Sequence, residues 1–421
     1  MGRALATSAL ALLLLWVQPA HALELEEVAG AYRLEGTDSQ RREFTAFVSL
    51  QRAGDAWRME RSGQFLGKER EERPWIWVSQ SLRISGASLR VTFVEGYEGI
   101  AGAIDPDAEE RHVFDVVYRF YSGGVSETVI PRDRDSEWRY SRARGKTAAP
   151  ALQLVAERSF KSLLGDALDR YEASGLTRVG DQLYAVFDND RRVAQVDLEL
   201  SGARLHPTKG SGKSNFEGLA HDPTTGRFYA LVESQRHKSK DEDFGRVWEL
   251  DAGFRRLDRA WLKVELPSDN RGFEGAVVVR RGGERYFLAL LEGNKGKAGT
   301  KGERRGEGRL EVFRAHGEDL EHVTTVKIPE SAFFVDYSGI DVRGDQVVIV
   351  SQTSSALWVG QLSRSSWELS GGKAYRFPRE HSRLRYPAIE GVTWVGAKRV
   401  AVVSDSHEGG TTESIHLFDL P

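Results

Sequence analysis

The strongest constraint on the fold is a pattern that occurs five times between residues 151 and 421. Each copy has a small or acidic residue, then Gly, an aliphatic residue, a turn, and a β run that closes on a polar residue. We call the first residue of each copy its marker residue; the five are Ser174, Glu217, Glu274, Ser338 and Glu390, spaced 43, 57, 64 and 52 residues apart. Repeats near 50 residues that carry strands and no helical periodicity are typical of a β-propeller.

The number of copies predicts a propeller of five blades, although six blades would also fit the length. The segment 152–160 precedes the first marker residue and has the pattern of a strand. We expect it to pair with the segment 415–420 as the outer strand of the last blade, which would close the ring. The fold class is therefore all-β, with a propeller domain over residues 146–421.

Residues 23–145 predict a second, smaller antiparallel β domain, either a barrel or a sandwich. Short runs of alternating apolar and polar residues are separated by turns such as Ala53-Gly54-Asp55 and Ser85-Gly86. The opening Gly30-Ala31-Tyr32, followed by Gly36, resembles the first strand of lipocalin-like barrels, whose interiors can hold a small ligand. Gly145–Pro150 has no periodicity and predicts a linker between the domains.

Residues 1–22 have the pattern of a signal peptide. Arg3 precedes an apolar run at Ala9–Val17, and Ala20-His21-Ala22 fits an A-x-A cleavage site. The apolar run is too short to span a bilayer, which takes about 20 residues, and we expect no transmembrane segment. We therefore expect an exported protein, periplasmic or secreted. The chain has no cysteine, which excludes disulfides, thiolate-bound metals and a cysteine nucleophile.

The charge balance and the missing motifs narrow the functional classes. With 59 basic and 62 acidic residues, the chain has no excess charge that would favour a nucleic-acid partner. It contains no G-x-S-x-G elbow, no P-loop and no H-E-x-x-H motif. The expected ligand is instead a small molecule or a phosphoester in the propeller channel. The sequence is also compatible with a protein partner.

The marker residues predict a metal site at the centre of the propeller. The innermost strand of every blade lines the channel, so Glu217, Glu274 and Glu390 should face one another, with Ser174 and Ser338 beside them. Three carboxylates in one place repel unless they bind protons or share a cation. Calcium takes six to eight oxygen ligands and suits this set. The Gly after each marker residue fits a place of close backbone approach or unusual dihedral angles.

A second set of polar residues closes the next β run of each copy, and it could supply further ligands or a general base. The set comprises Asp188, Glu233, Glu292, Ser351 and Asp405, although residues at strand ends are also ordinary turn residues. Two histidines are candidate proton carriers, His221 after Glu217 and His407 after Asp405. The basic segment Lys295–Arg305 could bind phosphate or serve as a solvated loop.

The order Ser, Glu, Glu, Ser, Glu, each followed by Gly and an aliphatic residue, resembles the SdiA-regulated family of exported bacterial propellers and the related esterase-like domain of phytases. The resemblance covers residues 165–421. It implies a calcium ion in the central channel held by Glu217, Glu274 and Glu390, with Ser174 and Ser338 as neighbours. The N-terminal domain and the basic segment Lys295–Arg305 have no counterpart in this resemblance.

These observations lead to one main hypothesis and two alternatives. The main hypothesis is an exported calcium-binding propeller that hydrolyses an ester or phosphoester, with Glu390 or Asp405 activating water and His407 moving protons. The first alternative is a binding or scaffold propeller of the cell envelope, with a structural calcium and no chemistry. The second places the ligand in the N-terminal barrel and leaves the propeller as a scaffold.

Overall fold

The computed structural model of the chain is almost entirely β. It describes residues 23–37, 41, 43–53, 55–65, 75–86, 88–96, 113–121, 124–131, 142–147, 149–208, 214–237, 242–264, 266, 272–293, 308–316, 319–329, 331–332, 334, 336–380, 383–386, 388–406 and 412–421. The chain divides into two compact units, Met1–Ala148 and Ala149–Pro421. The predicted signal peptide at residues 1–22 lies outside the described residues.

The first unit contains a short helix, α1 (Leu25–Val28), and a closed barrel of eight antiparallel strands in sequence order. The strands are β1 (Gly30–Thr37), β2 (Glu43–Ala53), β3 (Ala56–Phe65), β4 (Trp75–Ser85), β5 (Ser88–Gly96), β6 (Val113–Tyr121), β7 (Gly124–Pro131) and β8 (Arg142–Thr147). The barrel closes where β1 pairs with β8, Tyr32 opposite Thr147. Gly145–Thr147, which the sequence placed in a linker, therefore belong to the closing strand.

The barrel interior combines an apolar core with one buried ion pair. Arg61 donates from Nε and Nη2 to the two carboxylate oxygens of Glu127, both at 2.8 Å, and neither side chain is exposed. The Tyr118 hydroxyl donates to the same carboxylate at 2.7 Å. The Arg61 guanidinium also lies 4.3 Å from the centre of the Trp77 ring. Side chains thus fill the space around this pair, as in other eight-stranded barrels.

The second unit consists of five four-stranded antiparallel sheets, with a short helix α2 (Phe160–Leu164) before the first. Sheets 1 to 3 contain β10 (Ala173–Val179), β11 (Gln182–Phe187), β12 (Val193–Asp197) and β13 (Ala203–His206); β14 (Phe216–Asp222), β15 (Arg227–His237), β16 (Glu242–Leu250) and β17 (Arg256–Leu262); β18 (Phe273–Arg281), β19 (Glu284–Leu291), β20 (Arg309–His316) and β21 (Asp319–Lys327). Each sheet is a meander in which successive strands are neighbours, an arrangement consistent with an all-β propeller.

Sheets 4 and 5 complete the unit, and a two-stranded ribbon lies between them in sequence. Sheet 4 contains β22 (Gly339–Arg343), β23 (Gln346–Ser351), β24 (Ala356–Leu362) and β25 (Leu369–Arg376); the ribbon is β26 (Arg379–Glu380) and β27 (Arg383–Leu384). Sheet 5 contains β28 (Ile389–Trp394), β29 (Arg399–Ser404) and β30 (Ser414–Asp419), with β9 (Gln153–Ser159) as its outer strand.

The five sheets form a ring. The first strands β10, β14, β18, β22 and β28 contact one another in that order, and β28 contacts β10. The ring is fastened by β9, which pairs with β30 from Ser159 opposite Ser414 to Gln153 opposite Asp419. Apolar residues fill the space between neighbouring sheets; Trp358, for example, is fully buried between sheets 3 and 4. Among the described residues, no helix is long and apolar enough to cross a membrane.

Candidate functional site

The five marker residues line one cavity of about 240 Å³. Four of them lie within the first strand of their sheet, and Ser338 is the residue directly before β22. Because the first strands meet around the axis of the ring, residues far apart in the sequence share this cavity; they are Ser174, Glu217, Glu274, Ser338 and Glu390.

An irregularity in the strand pairing sets the direction of most marker side chains. In sheet 1, Ala173 pairs with Phe187 and Gly175 pairs with Val186, so Ser174 is skipped. The pairing skips Glu217 in sheet 2 and Glu274 in sheet 3 in the same way, and it also shifts around Glu390 in sheet 5. A bulge adds one residue to a strand and re-aims its side chain. Here the bulges coincide with side chains that line the cavity.

The glycines after the marker residues let the five first strands approach one another. A Cβ on Gly175 would lie 2.6 Å from the Gly218 Cα, and one on Gly218 would lie 3.2 Å from the Gly275 Cα. The same contact, at 3.2 Å, joins Gly275 to Gly339 and Gly339 to Gly391. None of the five has a positive φ, so close approach, and not unusual backbone geometry, requires glycine at these positions.

The two serine marker residues are tied to the sheets that follow them. Ser174 donates its hydroxyl proton to the carbonyl oxygen of Phe216, the residue before Glu217. Ser338 donates to the carbonyl oxygen of Ile389 at 2.9 Å, directly before Glu390. Each hydroxyl proton goes to a carbonyl oxygen. The lone pairs of the two hydroxyl oxygens therefore stay available to coordinate a cation.

The second strands of the sheets bring further polar residues to the same cavity. Asp188, Glu292 and Asp405 each follow directly after the second strand, and Glu233 lies within the longer β15. In sheet 4 the equivalent residue is Gln352, which lines the cavity, whereas the predicted Ser351 is the last residue of β23.

Ser351 serves a different purpose from the one that the sequence suggested. Its side chain is fully buried, and its hydroxyl donates to the carboxylate of Asp336. Asp336 also accepts from the backbone N–H and the hydroxyl of Thr353, at 3.0 and 2.5 Å. Ser351 therefore positions a carboxylate that lines the cavity.

Besides Gln352, three lining residues were absent from the sequence-based set: Glu172, Asp336 and Tyr337. Glu172 and Asp336 stand two positions before the marker residues Ser174 and Ser338. This repeat position carries an acid in two of the five copies, so comparing the copies column by column could have found it. No such regularity points to Tyr337.

The cavity is strongly acidic. Nine of its thirteen lining residues are carboxylates and none of the thirteen is basic; the carboxylates are Glu172, Asp188, Glu217, Glu233, Glu274, Glu292, Asp336, Glu390 and Asp405. The side chains of the three marker glutamates keep some exposure to the cavity, although protein surrounds them. The burial of each raises its pKa well above the usual range, and the neighbouring carboxylates raise it further.

Asp405 has a carboxyl group that can exchange a proton near neutral pH. Burial raises its pKa to about 6, and the charges of Glu172 and Asp188 act in the same direction. A hydrogen bond from the Ser406 N–H and the charge of Arg170 oppose this rise. Arg170 does not line the cavity; its Nη2 lies 2.9 Å from Glu172 Oε1 and donates to Ser406 Oγ at 2.9 Å.

The donor set of the cavity fits a hard cation. Carboxylate and hydroxyl oxygens are the ligands of calcium and magnesium, and the cavity offers no thiolate. Burial and the neighbouring carboxylates raise the pKa of Glu217, Glu274 and Glu390, so ionising all three in this cavity is costly without a cation. As the side chains stand, no three acidic or imidazole groups of the described residues are arranged as ligands of one ion. Binding would therefore require the glutamate side chains to turn toward a common point.

Three of the sequence predictions remain. His407 and the segment Lys295–Arg305 fall outside the described residues. His221 lies on β14 next to its last residue, with its ring 4.8 Å from that of Phe228, and burial lowers its pKa. It is not among the residues that line the cavity.

No protein-family model matches the sequence, and no curated protein matches it either. Solved structures show a slight similarity. Hydrazine synthase of Kuenenia stuttgartiensis is 12% identical with a TM-score of 0.32 over 82% of this chain and 92% of that chain. A candidate 6-phosphogluconolactonase of Bacteroides uniformis is 10% identical with a TM-score of 0.29 over 82% and 97%. A protein of Lactobacillus plantarum is 10% identical with a TM-score of 0.26 over 82% and 96%.

Proposed function

We propose that the second unit is a five-bladed propeller that binds a divalent cation, calcium, in its central cavity. The observation that carries this proposal is the set of nine carboxylates on a cavity whose lining contains no basic residue. Such a set is costly to ionise on its own, because each negative charge raises the pKa of the others. A divalent cation removes that cost, and calcium tolerates the varied oxygen geometry that five separate strands supply.

Glu217, Glu274 and Glu390 would hold the ion, with Ser174 and Ser338 offering their lone pairs beside them. The other acids of the cavity lining would bind water in the outer coordination sphere or take part in chemistry. This assignment agrees with the resemblance to the SdiA-regulated and phytase esterase-like propellers. The same resemblance, together with the pattern of residues 1–22, supports an exported protein.

The proposed activity is hydrolysis of an ester or phosphoester. A bound divalent cation supplies a Lewis acid for the carbonyl or phosphoryl oxygen. Asp405 lines the same cavity, and its carboxylate can take a proton from water and return it to a leaving group. Glu390 is a second candidate for the general base. As a proposed ligand of the cation, however, it is less suited to that role than Asp405.

The alternative is a non-catalytic propeller with a structural ion, and the serine hydrogen bonds remove one catalytic route that would argue against it. Both serine marker residues donate their protons to backbone carbonyls, so neither has the hydrogen bond to a base that would make it a nucleophile. In this alternative the cation stiffens the centre of the ring, and the surrounding surface contacts an envelope component.

Thermal unfolding separates the two steps of the proposal. We expect calcium to raise the Tm of chelator-treated protein, because an ion that binds only the folded state stabilises it. If calcium, magnesium and EDTA all leave the Tm unchanged, the proposal of a bound cation is wrong. If calcium raises the Tm while aryl esters, phosphodiesters and lactones are not hydrolysed, the scaffold alternative replaces the hydrolase. Asp405→Asn provides the matched catalytic control, since it should abolish hydrolysis while leaving the three marker glutamates intact.

A further inference from the structure

A cluster of arginine and tryptophan side chains lies on one face of sheet 2. Across the β16–β17 ladder, Arg246 faces Trp261 and Trp248 faces Arg259. Residues two apart on a strand share a face, so these four side chains lie together. Arg256 joins them, its guanidinium 4.8 Å from the centre of the Trp248 ring. We call these five residues the arginine patch.

The arginines of the patch have no acidic partners among the described residues. The structure contains no ion pair to Arg246, Arg256 or Arg259 there, although many other arginines of this unit are paired, such as Arg314 with Glu321 at 2.6 Å. The pKa of Arg246 is lowered by burial and then by the charges of Arg259 and Arg256. Three positive charges therefore repel one another at one place, an arrangement that an anion would relieve.

Two hydrogen-bond donors in the patch also lack acceptors. The Arg246 Nε and the Trp248 Nε1 are buried, and no acceptor among the described residues bonds to either. Arg246 makes one side-chain hydrogen bond, from Nη1 to Gln235 at 2.8 Å. A buried donor without an acceptor costs about 1–3 kcal/mol, so such groups in a native structure call for water or a ligand. Neighbouring side chains cover both atoms in this structure.

Stacking prepares the guanidinium groups for planar recognition. The Arg246 guanidinium lies 4.4 Å from the centre of the Trp261 ring, and Arg191 from sheet 1 lies 5.4 Å from that of Trp248. Stacking limits the rotation of a guanidinium and leaves its N–H groups pointing outward in the ring plane. Arginines held in this way bind tetrahedral oxyanions through paired N–H donors.

From these contacts we propose that the arginine patch is a binding site for a phosphate-type oxyanion. The anion accepts from Arg246, Arg256 and Arg259, and the Trp248 indole contributes a further donor. The site is distinct from the acidic cavity, since none of these residues lines it. It stays close to that cavity in the fold, because Arg246 pairs with Val232, the neighbour of the lining residue Glu233.

Calorimetric titration of inorganic phosphate into the full chain tests this site. The protein is first treated with EDTA and kept free of divalent cations, so that the result does not depend on the cation proposal. Sodium chloride holds the ionic strength constant, which screens non-specific attraction equally in all samples. We expect saturable binding, weakened about tenfold or more by Arg246→Gln and by Arg259→Gln, a loss equivalent to about 1.4 kcal/mol. Trp248→Phe keeps an aromatic ring, removes the indole donor and should weaken binding less.

Arg314→Gln is the matched control, because Arg314 lies on the third strand of sheet 3 as Arg246 lies on the third strand of sheet 2. The Arg314→Gln variant should bind phosphate with the same affinity as the unaltered chain. The exposed Arg259 keeps the test valid if Arg246→Gln fails to fold. The proposal is overturned if phosphate does not bind below about 10 mM. It is also overturned if Arg259→Gln binds as tightly as Arg314→Gln.

Discussion

Gly391 of the last sheet lies directly against Gly175 of the first: a Cβ on Gly391 would stand 3.0 Å from the Gly175 carbonyl carbon and 2.8 Å from the Leu176 nitrogen. This contact closes a ring of five glycines, each packed on the next. All of the crowded atoms belong to backbone at the junction of Gly175 with Gly218, so no flexible side chain can move aside for an added methyl group.

We therefore predict that Gly175→Ala destabilises the second unit by about 3 kcal/mol, the cost of overpacking a rigid site. Urea denaturation followed by tryptophan fluorescence gives the free energy of unfolding. Gly253→Ala is the control, since its Cβ would meet only the Asp251 side chain at an ordinary 3.4 Å. An equal effect of the two substitutions would show that the ring can relax.

Glu390→Gln should have opposite effects on the metal-free protein and on the cation complex. The substitution removes one of the charges that burial and the neighbours Glu274 and Asp405 disfavour, so the Tm of chelator-treated protein should rise. The same change deletes a proposed ligand, so calcium affinity should fall by about tenfold or more. Glu368→Gln, at an exposed position, should change neither quantity. Calorimetry and thermal unfolding check both halves, and an unchanged calcium affinity contradicts the ligand assignment.

The stability of the metal-free protein should fall as the pH rises from about 4 to 7. Asp405 has a pKa of about 6 in the folded chain against an ordinary value of 3.8, so the folded state binds its proton more tightly. Its contribution is present below the unfolded pKa and is lost as the pH rises through the folded pKa. Tm measurements in EDTA over this range should show the decline. Asp405→Asn should make it shallower, and the raised pKa values of Glu217, Glu274 and Glu390 should maintain part of it. Saturating calcium should reverse the trend, because the cation competes with protons.

Glu157→Gln should loosen the strand that fastens the ring. The Glu157 carboxylate on β9 faces His416 across the β9–β30 pairing and accepts from Arg385 at 2.6 Å and Tyr386 at 3.2 Å. These contacts, His416 first, lower the pKa of Glu157 to about 2. Its stabilising contribution is thus present above about pH 4.5 and is lost as the pH falls through 2.

We expect Glu157→Gln to cost about 1.5–3 kcal/mol at neutral pH, the usual range for hydrogen bonds to a charged group. Chemical denaturation measures this loss, and hydrogen exchange should show faster opening of β9. The control is Glu321→Gln, which breaks an exposed ion pair with Arg314 and should cost less than about 1 kcal/mol. A loss no larger than that of the control would mean that strand pairing alone holds β9.

In the barrel, Glu127→Gln should destabilise the first unit by about 3–5 kcal/mol, since it leaves the buried Arg61 charge without its counterion. The double change Arg61→Met with Glu127→Leu should recover most of that loss, because it removes both charges from the core. Glu26→Gln is the control, as its pair with Arg52 is exposed and 3.3 Å long. Denaturation of the full chain, with tryptophan fluorescence as the signal, checks the order of the three variants.

The repeat made the second unit largely predictable, because each copy carries the same glycine at the same tight contact. It also indicated that β9 would pair with β30, since an unassigned strand pattern preceded the first copy. The end of β8 was wrongly predicted as a linker, because Arg142–Thr147 shows no alternation of apolar and polar residues. Its place in the barrel depends on backbone pairing with β1 and β7, which no side-chain pattern reveals.

The lining of the cavity was predictable where the copies agree and was missed where they differ. Ser351 was chosen as the polar residue that closes its β run, whereas the strand runs on through it and Gln352 takes the position at the cavity. The patch around Arg246 was not predicted either, because it depends on cross-strand neighbours in β16 and β17. The pairing of Arg61 with Glu127 likewise joins residues whose sequence gives no sign of a contact.

The pairing of β9 with β30 determines when the ring can close as the chain is synthesised. The strand Gln153–Ser159 is synthesised before any of the five sheets can form, yet its partner Ser414–Asp419 comes from the far end of the unit. Until β30 has been synthesised, the edge of β9 that pairs with it remains unpaired. The β9–β30 pairing, which completes the ring, joins residues that are among the most distant in the sequence. Of the cavity lining, Glu390 lies in sheet 5 and Asp405 directly follows its second strand, so the cation site is incomplete until that sheet has joined the ring.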